Sequence, residues 1–182
     1  GWLQATSLLM NVATLANSGT MMAAREATFT GNSLTNTGTL QATQLTVNAQ
    51  TLTNSGTLLG NNSLTLTSDN ISNDNGNLFS GGDLLTEATS LSGIGQIVAL
   101  GNLTLKLANS WTAQGVVAAN NQLTVISQGD IVNQSTLQGN GITLNAAGKV
   151  TNNGLITAGG GTTSLSGSEI AMNSSGSLQA GG

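Results

Sequence analysis

Cysteine, histidine, proline and tyrosine are absent from this 182-residue chain. Disulfides, thiol nucleophiles, imidazole bases and the usual zinc and copper ligands are removed together, so most catalytic chemistry is excluded and no metal or cofactor is expected. Charge is scarce as well: Asp, Glu, Lys and Arg make up 5% of the residues, and the net charge of −4 includes only three cations, Arg25, Lys106 and Lys149, scattered along the chain. Without a basic patch to neutralise phosphates, nucleic acid is not expected as a partner. No run approaches the about 18 apolar residues of a membrane-spanning helix, and the first residues have neither the basic nor the apolar region of a secretion signal. Any targeting signal of a parent protein is expected outside this stretch.

Glycine is abundant instead, at 25 residues, alongside heavy use of Asn, Ser and Thr. Hydrophobic residues, at 38%, are too plentiful for a disordered chain. What organises them is a repeat. Segments starting at Leu15, Leu34, Leu52, Ile71, Leu91, Trp111, Ile131, Val150 and Ile170 follow one another at 18 to 20 residues. A second apolar column follows about six residues later, through Met21, Leu40, Leu58, Leu78, Ile97, Val117, Leu137, Ile156 and Leu178. A third part of each unit alternates, as in Leu45/Val47, Leu64/Leu66, Leu84/Thr86, Leu103/Leu105 and Ile142/Leu144, which is strand periodicity. Thr46, Thr65, Thr104 and Thr124 fall between the inward positions, where β-branched side chains suit the outer face of a strand.

Gly19, Gly38, Gly56, Gly95, Gly115 and Gly154 recur four residues after the unit starts, which implies a turn or a close backbone approach. Two residues before most of them, Asn17, Asn36, Asn54, Asn133 and Asn152 share a column with Asn73, and their amides are placed to bond from unit to unit. Gly93 and Ala113 stand in the Asn column of two middle units, so the Asn ladder is expected to break there. One unit cannot bury its own apolar face, whereas stacked units share a continuous core. The pattern predicts an all-β, right-handed parallel β-helix of about nine coils, with 19–20 residues in most, as a single repeat segment over 1–182. At about 4.8 Å per coil, such a stack is a rod on the order of 45 Å long. Trp111 is expected inside, and Trp2 outside, next to inward Leu3. The first unit, with Leu3, Leu8, Met10 and Val12, and the last, with Ile170 and Leu178, carry the interior pattern, so the segment is expected to be a fragment of a longer filament.

The unit from Leu34 to Thr51, with Asn36-Thr37-Gly38, then Leu40-Gln41-Ala42, then Leu45-Thr46-Val47, resembles the haemagglutinin repeat of filamentous haemagglutinins and contact-dependent growth inhibition exoproteins. Units of this kind cover essentially the whole chain. The resemblance implies a secreted or cell-surface protein of Gram-negative bacteria, exported by two-partner secretion through an outer-membrane transporter. It further implies a rod displaying adhesive, receptor-binding or toxin regions located elsewhere in the parent, with any target-cell receptor met through those regions.

Candidate sites are few. Glu87 and Lys106 share a column in adjacent units and are expected to pair at the surface, as are Asp130, Lys149 and Glu169, each of which precedes a unit start. Asp69 and Asp74 flank Asn70 and Asn73 at a corner, where local backbone hydrogen bonding accounts for them. The calcium-binding glycine-rich repeat is absent, and Gly159-Gly160-Gly161 lacks the lysine and helix of a phosphate loop. The remaining candidate is apolar: alternation sends Leu59, Phe79, Val98 and Ala118 outward on four successive coils, and an exposed stripe of that kind marks a contact surface. The reading favoured over a contact surface is that a loop or flanking strand covers the stripe, or that a bulge reverses the alternation. Four functions are therefore in view. A monomeric structural rod leads, an adhesive or receptor-binding surface is second, an enzyme is third because the carboxylates fall into paired surface columns, and an ice-binding face is last because Leu85, Glu87, Lys106 and Ile126 interrupt the Thr arrays.

Overall fold

A run as short as Asn77–Ser80 has no partner within its own coil and is held only by the coils on either side. The computed structural model describes residues 1–181, which contain strands and turns and no helix. Every strand pairing is parallel, and the chain winds as a β-solenoid of about 9 turns. Leu34, Leu52, Ile71 and Leu91 lie in register on the first face. Leu58, Leu78, Ile97 and Val117 do so on the second, and Leu64, Leu84, Leu103 and Leu123 on the third. The columns read from the repeat are therefore the ladders of the fold.

Coil lengths differ for a local reason. Ala23 and Glu26 pair with Ala42 and Gln44, so the chain between the first two holds one residue more. The register recovers beyond this bulge, which is how an 18-residue coil stacks between longer ones without flipping its side chains. In the early coils the strands Thr20–Asn36, Thr39–Asn54 and Thr57–Ser72 run on through the corners, whereas later coils break into pieces as short as Trp111–Ala113.

Inside the solenoid, aliphatic side chains stack on their equivalents, and Leu34, Leu40, Leu45, Leu52, Leu58 and Leu64 are completely buried. Fully burying one such side chain contributes about 1.5–3 kcal/mol. The third face buries one position more than the alternating pair: after Leu45/Val47 comes Ala49, after Leu64/Leu66 comes Ser68, and after Leu103/Leu105 comes Leu107. The buried Ser hydroxyls serve the corners, as where Ser80 Oγ donates to the Asp83 carbonyl (2.7 Å) and accepts the Gly82 N–H (3.2 Å). Trp111 is inside at 3% exposure, and Trp2 is outside at 72%. Leu3 shares the inward column but is exposed, because it has a neighbouring strand on one side only.

The Asn column is a buried hydrogen-bonded ladder. Asn54 Nδ2 donates to Asn73 Oδ1 (3.0 Å), to its own turn at Gly56 O (3.2 Å) and to Asn77 O of the next coil (3.2 Å), while Asn54 Oδ1 accepts from Asn36 (2.9 Å). Asn17 and Asn36 repeat the arrangement, as does Asn133 with Asn152. The Gly column beside it is set by close approach, since a Cβ on Gly38 would overlap the carbonyl oxygen of Gly19 one coil below. Between these two runs of Asn, Gly93 and Ala113 interrupt the ladder as expected. The strand pairing on the first face stops at the same place, and the strands beginning at Trp111, Ile131, Lys149 and Glu169 form a separate four-stranded sheet.

Replacing Asn54 by Ala removes a buried acceptor and three donated bonds, and is expected to cost about 2–4 kcal/mol in urea unfolding. The Thr86 hydroxyl, in contrast, is buried in the aliphatic column between Leu66 and Leu105 and has no hydrogen-bond partner. Thr86→Val should accordingly raise stability by about 1 kcal/mol, which a higher urea midpoint at unchanged slope would register.

Candidate functional site

The acidic side chains carry coil-to-coil bonds and do not converge. Asp83 accepts the Asn102 N–H (2.8 Å), Asp130 accepts the Lys149 N–H (2.8 Å) and Asp74 accepts the Ile94 N–H (3.4 Å), each reaching one coil along the stack. Glu26 accepts the Ser7 hydroxyl (2.8 Å). At the corner of Asp69 and Asp74, Asn70 Oδ1 takes a hydrogen bond from Ser90 (2.6 Å). Among the described residues no three His, Cys, Asp or Glu side chains gather as metal ligands would. Asp74 therefore bonds to the next coil and not, as expected, to its own corner.

Both predicted charge columns form at the surface. Lys106 Nζ lies 3.9 Å from Glu87, and Lys149 Nζ lies 3.1 Å from Glu169. The Lys149 ammonium is held protonated above its usual range, first by the hydrogen bond it donates to Glu169, then by that carboxylate's charge, with Asp130 adding a smaller attraction against a little desolvation. Asp130 engages Lys149 through the backbone N–H as well, so the triplet is linked by one ion pair and one backbone bond.

The apolar stripe is built as the alternation implies. Leu59 pairs with Phe79, Phe79 with Val98 and Val98 with Ala118, all pointing away from the core. They are half-buried, because each is flanked by its neighbours in the column, and no bulge reverses them. Thr57, Asn77 and Gln96 run alongside, so that Leu59, Phe79 and Val98 form the floor of a shallow, uncharged depression. Polar Gln41 and Gln138 stand in the same column before Leu59 and after Ala118.

Three further residues escaped the sequence reading. Ile94 (57% exposed), Leu100 (44%) and Val116 (37%) lie on the two coils that carry Val98 and Ala118. Every other large exposed hydrophobic residue falls within residues 2–12 or 170–178, on the outermost coils. Ile94, Leu100 and Val116 occupy corners and connections, where alternation gives no direction, and only the folded coil shows that they face outward.

Comparison with known proteins places this geometry. The sequence pattern of the family described as Haemagglutinin repeat matches residues 2–50, 33–106 and 98–179. The chain is similar to a tRNA nuclease CdiA of Escherichia coli (strain STEC_O31), with 71% identity over 107 residues, or 59% of this chain and 3% of that protein. It is 40% identical over 184 residues to a deoxyribonuclease CdiA of Dickeya dadantii (strain 3937), and 48% identical over 183 residues to a toxin CdiA of Escherichia coli. Those two alignments cover 100% of this chain and 6% of each relative. The chain thus spans between 3% and 6% of the length of these relatives. No solved structure matches it.

The surface ion pairs are expected to contribute little. Glu87→Ala should change stability by less than about 1 kcal/mol, whereas a loss of several kcal/mol in urea unfolding would reveal a partner or bound ion that the 3.9 Å pair with Lys106 does not account for.

Proposed function

The chain belongs to the haemagglutinin-repeat family, and from that membership we propose that it is a spacer in a large bacterial exoprotein, secreted or held at the cell surface. As a solenoid rod segment its work is mechanical: it sets the distance between the cell and whatever the parent displays. The observation that carries this reading is the constancy of the three ladders, which are interrupted on one face at one step while the other two run through. A stack in which each coil repeats the last is extended by adding coils, with no new design required at the join. The relatives bear the names of nucleases and toxins while matching this chain over 3% to 6% of their length. We therefore assign any nuclease or toxin activity, and any receptor binding, to other regions of the parent, and treat this stretch as a non-enzymatic part of a longer filament. Export through an outer-membrane transporter of the two-partner type suits a chain without cysteine, since nothing in it waits on disulfide formation. A monomeric rod is the simplest form of such a spacer.

A second reading is favoured by one observation, the exposure of Ile94, Leu100 and Val116 on the two coils in which the stripe of Leu59, Phe79 and Val98 ends. On that reading the segment is itself an adhesive surface, and its uncharged floor meets a partner through apolar contact.

Deleting residues 34–70 from the parent removes two whole coils and joins Ser33 to Ile71 in register. The filament should shorten by about 10 Å in electron micrographs, with secretion and target-cell binding preserved. Phe79→Ser should likewise leave binding intact. Loss of binding in the Phe79 variant, at normal secretion and normal β-content, would transfer the function to the stripe.

A further inference from the structure

Every coil contacts the next through three faces, and among the described residues one of these contacts lacks a ladder. It lies on the first face between the coils beginning at Leu91 and Trp111. We propose that this step is a built-in joint, the place where the stack parts first and which divides the rod into two cooperative blocks on either side of residue 110.

Four features meet at the step. The strand ending at Ser92 is paired on its early side, through Asn70, Ile71 and Ser72, and the strand Trp111–Ala113 is paired on its late side, through Ile131, Val132 and Asn133. Their facing edges exchange no ladder, and the Trp111 N–H goes to Asp130 in the following coil (2.8 Å). The second feature is the end of the buried amide run. Asn73 Nδ2 donates to Gln96 O (3.1 Å) alone, where Asn36 and Asn54 each donate to three acceptors; the next-coil amide is missing because Gly93 stands in its place, and the bond to its own turn is missing as well.

Backbone geometry is the third. Gly93 has φ of 114°, a conformation that side-chain-bearing residues rarely adopt, and a Cβ there would collide with the backbone of Asn73. An Asn at this position is therefore excluded by the turn itself. Packing is the fourth. Asn73, Gly93, Gly95 and Trp111 border a cavity of about 10 Å³. Atoms lining such a void lose contacts that the other steps keep.

The two remaining faces hold across the step, with Ile97 beside Val117 and Leu103 beside Leu123. What is weakened is one side of a triangular contact, which makes the step a hinge and not a break. In a one-dimensional stack, stability is a sum of coil and interface contributions, so the weakest interior interface decides where cooperative units divide.

The test uses amides of the intact faces, because those of the unpaired edge exchange quickly in any case. Residue-resolved hydrogen exchange on the whole chain should find residues 97–99 and 117–119 exchanging about tenfold or more faster than residues 58–60 and 78–80, which span the equivalent unbroken contact. Equal or slower exchange overturns the proposal. Trp111→Ala should raise exchange further at 97–99 and 117–119 and leave 58–60 and 78–80 as they were, while a uniform rise, or none, counts against a localised joint. If that variant fails to fold by circular dichroism, the comparison within the unmodified protein decides alone.

Discussion

Parallel strands stacked in register leave each coil's backbone groups to be satisfied by the coils before and after it, and the rest of this structure depends on that constraint. A residue therefore meets its own equivalent from the neighbouring coil more than it meets anything in its own. Aliphatic side chains on aliphatic side chains give the core, and glycine on glycine gives the turn in which the carbonyl of Gly19 sits where a Cβ of Gly38 would go. Amide on amide gives the buried run from Asn17 to Asn73. The same rule handles charge by alternating sign, as in Glu87 beside Lys106 and Lys149 beside Glu169.

Much of this was legible in advance because a solenoid writes its contacts as a period. The register of Leu58 with Leu78 and Ile97, the inward Trp111, the outward Phe79 and the gap at Gly93 and Ala113 all follow from alignment of the units alone. Two kinds of position escaped. Ala49, Ser68 and Leu107 continue the alternation of the third face by one more inward position, and the small Ala49 and polar Ser68 do not advertise burial. Ile94 sits between two glycines in a turn, so neither a strand nor a helix period assigns it a side. The Asn column announced its own break at Gly93 and Ala113, but not the missing strand pairing beside Trp111 or the positive φ of Gly93, which composition does not reveal.

The outer surface follows different rules from the core. Its positions are free of the stacking requirement wherever a polar or small side chain fits, which is why Gln41, Leu59, Phe79, Val98, Ala118 and Gln138 can follow one another in a single outward column. The inner coils that expose large apolar side chains at their corners, Ile94, Leu100 and Val116, also flank the interrupted step on the first face. Exterior composition and interior continuity thus change together over the same short stretch of rod.

The amide ladder also has a sense of direction. Asn17 gives its hydrogens to Asn36, Asn36 to Asn54, Asn54 to Asn73, and Asn133 to Asn152, always toward the later coil. Their side-chain dipoles are aligned head to tail, and the two ends of such a run are chemically different: one is an oxygen, which at Asn17 accepts the Gly19 N–H, and the other an NH2 group, which Asn73 turns to Gln96 O and Asn152 to Ser177 O. A further Asn in the column meets a donor on the later side and an acceptor on the earlier one. Because buried N–H groups tolerate the lack of a partner less well than carbonyl oxygens do, this handed column makes winding from first coil to last a different process from winding in reverse, as a ratchet differs from a screw.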